Sequence, residues 1–483
     1  MRVAQVHYHL RQGGVTSVIL NQAAALTEAG AEVLIIAGVT PQGDLGYPFA
    51  LVPALAYGSP EGGHNNTGEL AKANALAAAL LRAMEEHWGA VADVVHVHNP
   101  LIQKNSSLIP ALRILAEKGI RLLLQNHDLA EDFRPDVYVN SGEYPENCHY
   151  AVINRRDYAH LLRAGLKPEG LHFIPNEVRC LKAVPGLKRT RYLYPVRAIR
   201  RKNIGEALLL SLFIPKGRTI AFTLPPTNTN DVSYQHWIAL AKELKLPMEW
   251  GLGLEHSLPE LYGTSLCVIS TSIKEGFGFS FLEPWTAGRG LMGRRIDYVC
   301  RDFEEEGLRF DSLYSSIDIP LVYISMGRLK EEMEQAMIRV YRAFGRELPP
   351  HIIKMMSEDL FSHDTLDFGR LSEEAQAAII RTLASNRGAC RDIIAHNFFL
   401  GFLEEGNLGG TENNDLIDSN GKTVRHAYGR ERVSEILLDA YRQVMEHQVT
   451  QKISKPMLLD LYLDPLRFSL VGLGDDGAAP LNN

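Results

Sequence analysis

Residues 1–37 read MRVAQVHYHLRQGGVTSVILNQAAALTEAGAEVLIIA and contain a complete strand–helix–strand pattern. The range 3–8 is short and β-prone, Gly13-Gly14 interrupts the chain, and the range 15–29 has apolar residues at helical spacing. A second buried strand is predicted over 31–37. Strands that alternate with helices over short loops predict a parallel sheet with helices on both faces.

The same alternation continues along the chain and then restarts. Further strands and helices are predicted at 70–88, 91–98, 108–118 and 121–125. A polar, turn-rich segment at 175–188 is typical of an interdomain linker. Beyond it, strands are predicted at 192–198, 219–223, 248–251 and 266–270. We therefore expect an α/β protein with two doubly wound Rossmann-like domains facing a central cleft.

The composition shifts define the expected domain boundaries. An N-terminal domain over 1–186 is followed by a second domain over 187–429, with an acidic, helix-rich insertion at about 301–425. An amphipathic final helix at 430–450 is expected to cross back to the first domain. Residues 451–483 form a C-terminal extension that looks frayed from Gly472 on.

Composition excludes several classes of protein. The 483 residues carry 50 Lys and Arg against 57 Asp and Glu, a net charge of −7, so the cationic surplus of a non-specific nucleic-acid binder is absent. No apolar run approaches the ~20 residues of a membrane span. Five cysteines without a CxxC pair favour reduced thiols. We expect a cytoplasmic protein with no nucleic-acid partner and no integral membrane association.

The strongest chemical signal is KEGFGFSFLE at 274–283, directly after a predicted buried strand. Its glycines allow a ligand to approach the backbone, and the start of the helix expected after it favours a phosphate or polyhydroxylated group. The carboxylates of Glu275 and Glu283 are each able to hold a vicinal diol. A turn followed by an acidic helix start explains the pattern equally well.

A second signal is the run Arg197-Ala-Ile-Arg200-Arg201-Lys202, which follows a predicted strand. Four cations in six positions repel one another unless an anion joins them, so a diphosphate is a natural ligand at this sheet edge. A solvated basic loop is the alternative.

Weaker signals come from the first domain. Gly13 and Gly14 allow a phosphate to approach main-chain N–H groups. His127, after another strand, is able to bind a sugar hydroxyl or to transfer a proton. His7/His9 and His96/His98 lack an identifiable third ligand, and no metal site is expected. The literal GxGxxG at 472–477 is followed by too little chain for a helix, and no DxD triplet exists.

Together these motifs resemble the retaining GT-B glycosyltransferases that include sucrose-phosphate synthases and bacterial mannosyltransferases. Glu275 and Glu283 match the E-x7-E signature of that family, and Arg197 and Lys202 match its diphosphate-binding pair. Gly13-Gly14, DVVHVH at 93–98 and IPN at 174–176 match further elements. The resemblance covers roughly residues 1–295 and the last helix.

The resemblance implies specific roles. Arg197 and Lys202 would hold the diphosphate, Glu275 the donor sugar and Glu283 the ribose, with His127 beside the transferred sugar. The remaining donor-binding positions are Gly13, Gly14, Phe277, Gly278, Phe279, Ser280, Phe281 and Leu282. Fixed cations stabilise the charge that develops on a departing diphosphate and take the place of a metal. In this family a phosphate oxygen is thought to take the acceptor's proton, so no protein nucleophile is named.

The sequence departs from the family after Glu283, where the usual second glycine stretch is replaced by Gly293-Arg294-Arg295. This departure leaves the nucleobase and the acceptor open. The segment HDLAEDFRP at 127–135 is a candidate acceptor region, with Asp128, Arg134 and His98 as contacts.

The expected activity is transfer of a hexose from a UDP-glucose or GDP-mannose type of donor to a small soluble hydroxyl acceptor. No cofactor or metal is required, and a homo-oligomer is left open. The alternatives are a nucleotide-sugar epimerase or hydrolase of the same fold, and a non-catalytic sugar-nucleotide-binding protein.

Overall fold

The first sheet of this computed structural model is built from the first 177 residues. Its strands are β1 (Arg2–His7), β2 (Glu32–Ala37), β3 (Phe49–Leu51), β4 (Val94–His98), β5 (Leu122–Asn126), β6 (His149–Val152) and β7 (Leu171–Phe173). The helices between them are α1 (Gly14–Glu28), α2 (Asn66–Trp88), α3 (Leu108–Glu117) and α4 (Arg155–Arg163). All seven strands are parallel, in the order β3-β2-β1-β4-β5-β6-β7.

A second parallel sheet follows. Its strands are β8 (Arg191–Arg197), β9 (Thr219–Leu224), β10 (Met248–Glu249), β11 (Ser265–Ser270), β12 (Leu291–Arg294) and β13 (Leu313–Tyr314), in the order β10-β9-β8-β11-β12-β13. Its helices are α5 (Ile204–Ser211), α6 (Val232–Glu243), α7 (Leu258–Thr264), α8 (Glu283–Thr286) and α9 (Asp297–Glu305). The predicted class, two parallel doubly wound sheets, is confirmed.

The expected insertion is helical but begins later than the sequence indicates. The boundary at 301 falls inside α9, and β13 beyond it still belongs to the second sheet. A two-residue strand is too short to produce a periodic pattern. After it come an antiparallel pair, β14 (Asp318–Pro320) and β15 (Thr365–Asp367), and the helices α10 (Met326–Ala343), α11 (Pro350–Leu360), α12 (Glu373–Ser385), α13 (Arg387–His396), α14 (Phe398–Glu404) and α15 (Asn414–Tyr428).

The chain divides into two units. The first unit contains Met1–Glu177 and Tyr428–Leu463, and the second contains Val178–Ala427 and the residues from Asp464 on. The last helices, α16 (Arg430–Glu446) and α17 (Lys455–Tyr462), therefore belong to the first unit. The structure describes residues 1–11, 13–58, 66–140, 142–360, 362–406, 413–465 and 469–471. The literal GxGxxG at 472–477 lies outside them.

The two faces of the first sheet carry separate cores. Val3 packs in one apolar cluster, whereas Ala4 and Val6 pack in the other, because successive side chains of a strand point to opposite faces. Helix α16 contributes Leu437 to the cluster that contains Val3, and α17 contributes Leu458 to the opposite cluster. Segments from both ends of the chain thus contribute to each of the two cores.

Candidate functional site

Two loops of the second unit meet at the carboxyl edge of its sheet. Because β8 and β11 are adjacent parallel strands, the residues that follow each strand come together. The Lys202 ammonium, after β8, forms an ion pair with the Glu275 carboxylate, after β11. Arg201 Nη1 lies 3.7 Å from the other carboxylate oxygen. The two most specific motifs of the sequence are therefore in direct contact.

This ion pair is buried. Lys202 and Glu275 each expose only 7% of their surface. Burial acts to raise the pKa of Glu275, but the charges of Lys202 and Arg201 outweigh it and hold that pKa below its usual value. A buried carboxylate beside two cations stays ionised, and this part of the site is charged at neutral pH.

Side chains from three elements fix the backbone of these loops. The Tyr194 hydroxyl donates to the Lys202 carbonyl over 3.0 Å, and Thr271 Oγ1 donates to the same oxygen over 2.9 Å. Tyr298 of α9 donates to the Glu275 carbonyl over 2.6 Å and accepts from the Glu275 N–H over 3.0 Å. Sequence reasoning missed Tyr194, Thr271 and Tyr298 because their contacts are long-range. Arg201 was visible only as part of the basic run.

Glu283 begins a short helix. It is the first residue of α8, a single turn of four residues that ends at Thr286. Burial raises the pKa of Glu283 to about 7. Within the described part of the chain, no hydrogen bond or ion pair involves its carboxylate. A half-buried carboxylate without a protein partner is suited to accept hydrogen bonds from a ligand diol.

The glycine–phenylalanine loop between the two glutamates forms a tight turn. Gly278 has φ +96°, and a Cβ there would lie 2.7 Å from a methyl carbon of Val299, so the position requires glycine. The N–H groups of Phe281 and Leu282 donate to carbonyls inside the turn, at 2.9 and 3.0 Å. The turn thus already uses the N–H groups of these two residues, both of which are among the expected donor-binding positions. Ser280 Oγ is buried and without a partner among the described residues.

Arg197 does not join the Lys202–Glu275 pair. Its side chain is exposed, and Nη1 donates to the Pro225 carbonyl over 2.8 Å. A 3₁₀ turn at Arg200–Lys202 separates Arg197 from the end of the basic run, and the left-handed Asn203 follows it. Arg201, and not Arg197, lies beside Glu275.

The glycine loop of the first unit lies at the start of α1. Gly13 precedes the helix in an extended conformation, and Gly14 is its first residue. A Cβ on Gly14 would meet no described atom within 4 Å. Packing against the described residues therefore does not require glycine at this position.

The predicted acceptor residues lie close together at the carboxyl edge of the first sheet. His98 Nδ1 is 3.1 Å from His127 Nε2, and the two rings are stacked. Burial lowers the pKa of His127 to about 4, so the ring is neutral at pH 7. Arg134 Nη1 lies 3.3 Å from Asp128 Oδ2, and Asn99 Oδ1 accepts from the N–H groups of residues 127 and 128.

The remaining sequence candidates have ordinary structural partners. His96 Nδ1 is 2.7 Å from the Tyr441 hydroxyl, and His7 Nδ1 is 3.0 Å from the His98 carbonyl. A search of the described residues finds no group of three His, Cys, Asp or Glu side chains arranged to hold a metal. All five cysteines are free thiols. Of the helices that the structure describes, none is both long and apolar enough to cross a bilayer.

Fold and site together define a class: two Rossmann-like sheets of the GT-B glycosyltransferase type, with a basic–acidic pair at the carboxyl edge of the second. Residues 13–177 match the glycosyl transferase 4-like domain family. The chain is 26% identical over 412 residues to mannosylglucosyl-3-phosphoglycerate synthase of Petrotoga mobilis, covering 77% of this chain and 79% of that protein.

Solved structures share the fold. Sucrose-phosphate synthase from Thermosynechococcus elongatus superposes with a TM-score of 0.54 at 14% identity, over 92% of this chain and 98% of that one. Anabaena HepE in complex with UDP and glucose gives 0.54 at 13% identity, over 91% and 98%. Residues 13–177 thus carry a glycosyl transferase 4-like domain, and the chain has the fold of the GT-B glycosyltransferases.

Proposed function

We propose that the protein is a retaining, metal-independent hexosyltransferase that moves a sugar from a nucleotide diphosphate donor to a small soluble hydroxyl acceptor. The observation that carries this proposal is the buried contact between Lys202 and Glu275, with Arg201 beside them. A lysine held by a carboxylate in the free protein is a preformed cation that a diphosphate can recruit. The complex of HepE with UDP-glucose and the synthase from Petrotoga mobilis support this class of donor and acceptor.

Each site residue has a chemical task in this proposal. Cleavage of the glycosyl–phosphate bond leaves negative charge on the diphosphate, which Lys202 and Arg197 stabilise. Glu275 accepts hydrogen bonds from the sugar hydroxyls, and Glu283 accepts them from the ribose diol. A phosphate oxygen of the leaving group takes the acceptor's proton. His127, neutral because it is buried, is assigned to a hydroxyl of the transferred sugar.

The absence of a DxD triplet from the sequence supports a reaction without a metal, because that motif is the usual holder of a metal–diphosphate complex. The two cations assigned to the diphosphate would supply the charge that Mg²⁺ supplies elsewhere. We expect full transferase activity in the presence of a chelator. Loss of activity that Mg²⁺ restores would contradict the metal-free proposal.

The test is Lys202→Ala with Lys216→Ala as the matched control. Lys216 is exposed and precedes β9, at the opposite edge of the same sheet. We expect Lys202→Ala to lower kcat/KM for UDP-glucose or GDP-mannose by about 10²–10³, the size measured on removing an electrostatic donor. The control should match wild type, and Arg197→Ala is measured in parallel.

Three readouts separate the alternatives. The melting temperature of Lys202→Ala, compared with that of Lys202→Arg, which keeps the charge beside Glu275, shows whether loss of activity reflects loss of fold. NMR of the product identifies the configuration at the anomeric carbon, and an inverted product would overturn the retaining assignment. Consumption of the donor without an acceptor would identify a hydrolase. Unchanged turnover in Lys202→Ala would contradict the assigned diphosphate site.

A further inference from the structure

Three cations lie at the carboxyl edge of the first sheet, and we refer to them as the cationic cluster: Arg11, Lys104 and Arg134. Arg11 follows β1, Lys104 follows β4, and Arg134 follows β5. These strands are neighbours in the order β1-β4-β5, so three successive loops each bring one positive side chain to the same edge. Ligands of open parallel sheets bind at this edge.

Tyr57 connects the members of the cluster. Lys104 Nζ lies 4.9 Å from the centre of the Tyr57 ring, and the Tyr57 hydroxyl is 3.0 Å from His9 Nε2. Burial raises the pKa of Tyr57, and the positive charges of Arg134 and Arg11 oppose that rise. Both guanidinium groups are therefore within electrostatic range of the phenol of Tyr57, a residue that is 41% exposed.

The charges of the cluster are only partly compensated. Arg134 is paired with Asp128 at 3.3 Å. Among the described residues, neither Arg11 nor Lys104 has a carboxylate within ion-pair distance, although Asp136 and Asp128 act on Lys104 from further away. Burial, and next the charge of Arg134, lower the pKa of Lys104. The repulsion between like charges held together in this way falls when an anion binds between them.

The amount of uncompensated charge indicates the anion. A single arginine satisfies a carboxylate by a bidentate pair, whereas a phosphate monoester carries close to two negative charges at pH 7 and three acceptor oxygens. With Arg134 already engaged by Asp128, the charges of Arg11 and Lys104 match a dianion. The cluster also joins directly to the segment that contains His127, since Asp128 follows it in the chain.

We infer that the cationic cluster binds a phosphate monoester on the acceptor, with Arg11 and Lys104 as the main contacts and Arg134, tethered by Asp128, as the third. This inference rests on the proposed transferase function and names the chemical class of its acceptor. The phosphate anchors the molecule, and its free hydroxyl is the group that accepts the sugar. Tyr57 provides a flat, partly exposed surface against which the carbon chain of the acceptor packs.

The direct test is titration calorimetry of the full chain with four small probes: glycerol 3-phosphate, 3-phosphoglycerate, glycerate and glycerol. We expect the two phosphorylated probes to bind and glycerol not to bind. The double variant Arg11→Gln/Lys104→Met should weaken binding of glycerol 3-phosphate by at least about tenfold, because two charge-assisted contacts are lost. Lys118→Met is the control, since Lys118 is exposed and precedes β5 at the opposite edge of the sheet.

The outcomes separate the inference from the proposed function. Equal affinity in wild type and the double variant would overturn the inference, and so would glycerate binding as tightly as glycerol 3-phosphate. Titration of the same samples with UDP-glucose and GDP-mannose tests the donor site independently. If neither donor binds while phosphate binding depends on Arg11 and Lys104, the transferase proposal fails and the phosphate site stands. If donor binding is intact and the double variant binds the phosphorylated probes as tightly as wild type does, only the inference fails.

Discussion

At the scale of single residues, the proposed donor site contains two carboxylates in opposite electrostatic situations. Glu275 is buried beside two cations, which hold its pKa below the usual value. Glu283 is half-buried without a charged partner among the described residues, and burial raises its pKa to about 7. The two environments thus shift the pKa values of these glutamates in opposite directions, although the residues lie only eight positions apart in the chain.

This difference predicts the pH dependence of donor binding. If Glu283 must be ionised to accept hydrogen bonds from a ribose diol, its ionised fraction rises about tenfold between about pH 6 and pH 8 for a pKa near 7. The affinity for UDP-glucose, whose diphosphate does not titrate in this range, should rise by up to the same factor. Calorimetric titration across this range measures it.

Glu283→Gln is the variant that isolates this effect. Glutamine keeps the shape and one acceptor oxygen but does not titrate. We expect its affinity for UDP-glucose to be low and independent of pH. A wild-type affinity that is flat between these pH values, or a variant that keeps the full pH dependence, would exclude Glu283 as the titrating group.

At the scale of elements, a buried charge network fixes the turn that carries Lys202. Arg294 of β12 donates to Glu206 of α5 over 2.5–3.1 Å and to Asp367 of β15 over 2.7 and 2.8 Å. The Asn203 side chain, next to Lys202, donates to the same Glu206 carboxylate over 2.7 Å. Arg294, in the Gly-Arg-Arg stretch that departs from the family pattern, therefore links the turn that carries Lys202 to the insertion that contains Asp367.

Arg294→Met should destabilise the second unit strongly, because it leaves Glu206 buried without its cation. Removal of one partner of a buried ion pair costs about 3–5 kcal/mol of the free energy of unfolding. The adjacent Arg295 is a matched control: it pairs with Asp297 and Glu304 nearer the surface, and such pairs contribute about 0–1 kcal/mol. Urea denaturation of both variants measures the difference, and equal losses would contradict the network's role.

Sequence patterns predicted those elements whose burial is periodic. The strands β1, β2, β5, β8, β9 and β11 are short apolar runs, and their length and flanking turn residues distinguish them from buried helix segments. Three-residue strands such as β3 and β7 produce no such run. At the site, the sequence placed both motifs after strands, but the adjacency of β8 and β11, which brings Lys202 to Glu275, is not encoded in the spacing of the motifs. The place of Arg197 relative to Lys202 depends on the 3₁₀ turn between them, which spacing alone does not encode.

At the scale of the whole molecule, the titratable groups are distributed unequally between the two units. The histidines with lowered pKa all lie in the first unit: His7, His9, His96, His98, His127, His149, His160 and His172. Burial is the largest cause in each. An unfolded chain binds protons to these rings below about pH 6.5, whereas the folded unit does not, so stability falls as the pH falls.

We therefore expect mild acid to destabilise the first unit through its buried, neutral histidines. Burial lowers the pKa of His96 to about 3, so at about pH 5 this ring alone costs on the order of 2 kcal/mol. Glu131 has the opposite effect on stability. Burial raises its pKa to about 7, so its protonation favours the folded state as the pH falls from 7. The single carboxyl group of Glu131 therefore offsets only part of the unfolding free energy that the eight histidines remove as the pH falls.

His96→Gln tests this balance, because glutamine is able to bond the Tyr441 hydroxyl that His96 Nδ1 approaches at 2.7 Å and does not titrate. The variant should lose less unfolding free energy than wild type between about pH 7 and pH 5, by about 2 kcal/mol. His426→Gln, at an exposed position of α15, should leave the pH dependence unchanged. Urea denaturation followed by circular dichroism at each pH measures all three proteins. If His96→Gln and wild type lose the same free energy, the acid sensitivity has a cause other than neutral buried histidines, and carboxylates paired in the folded state, such as Glu275, become the groups to replace.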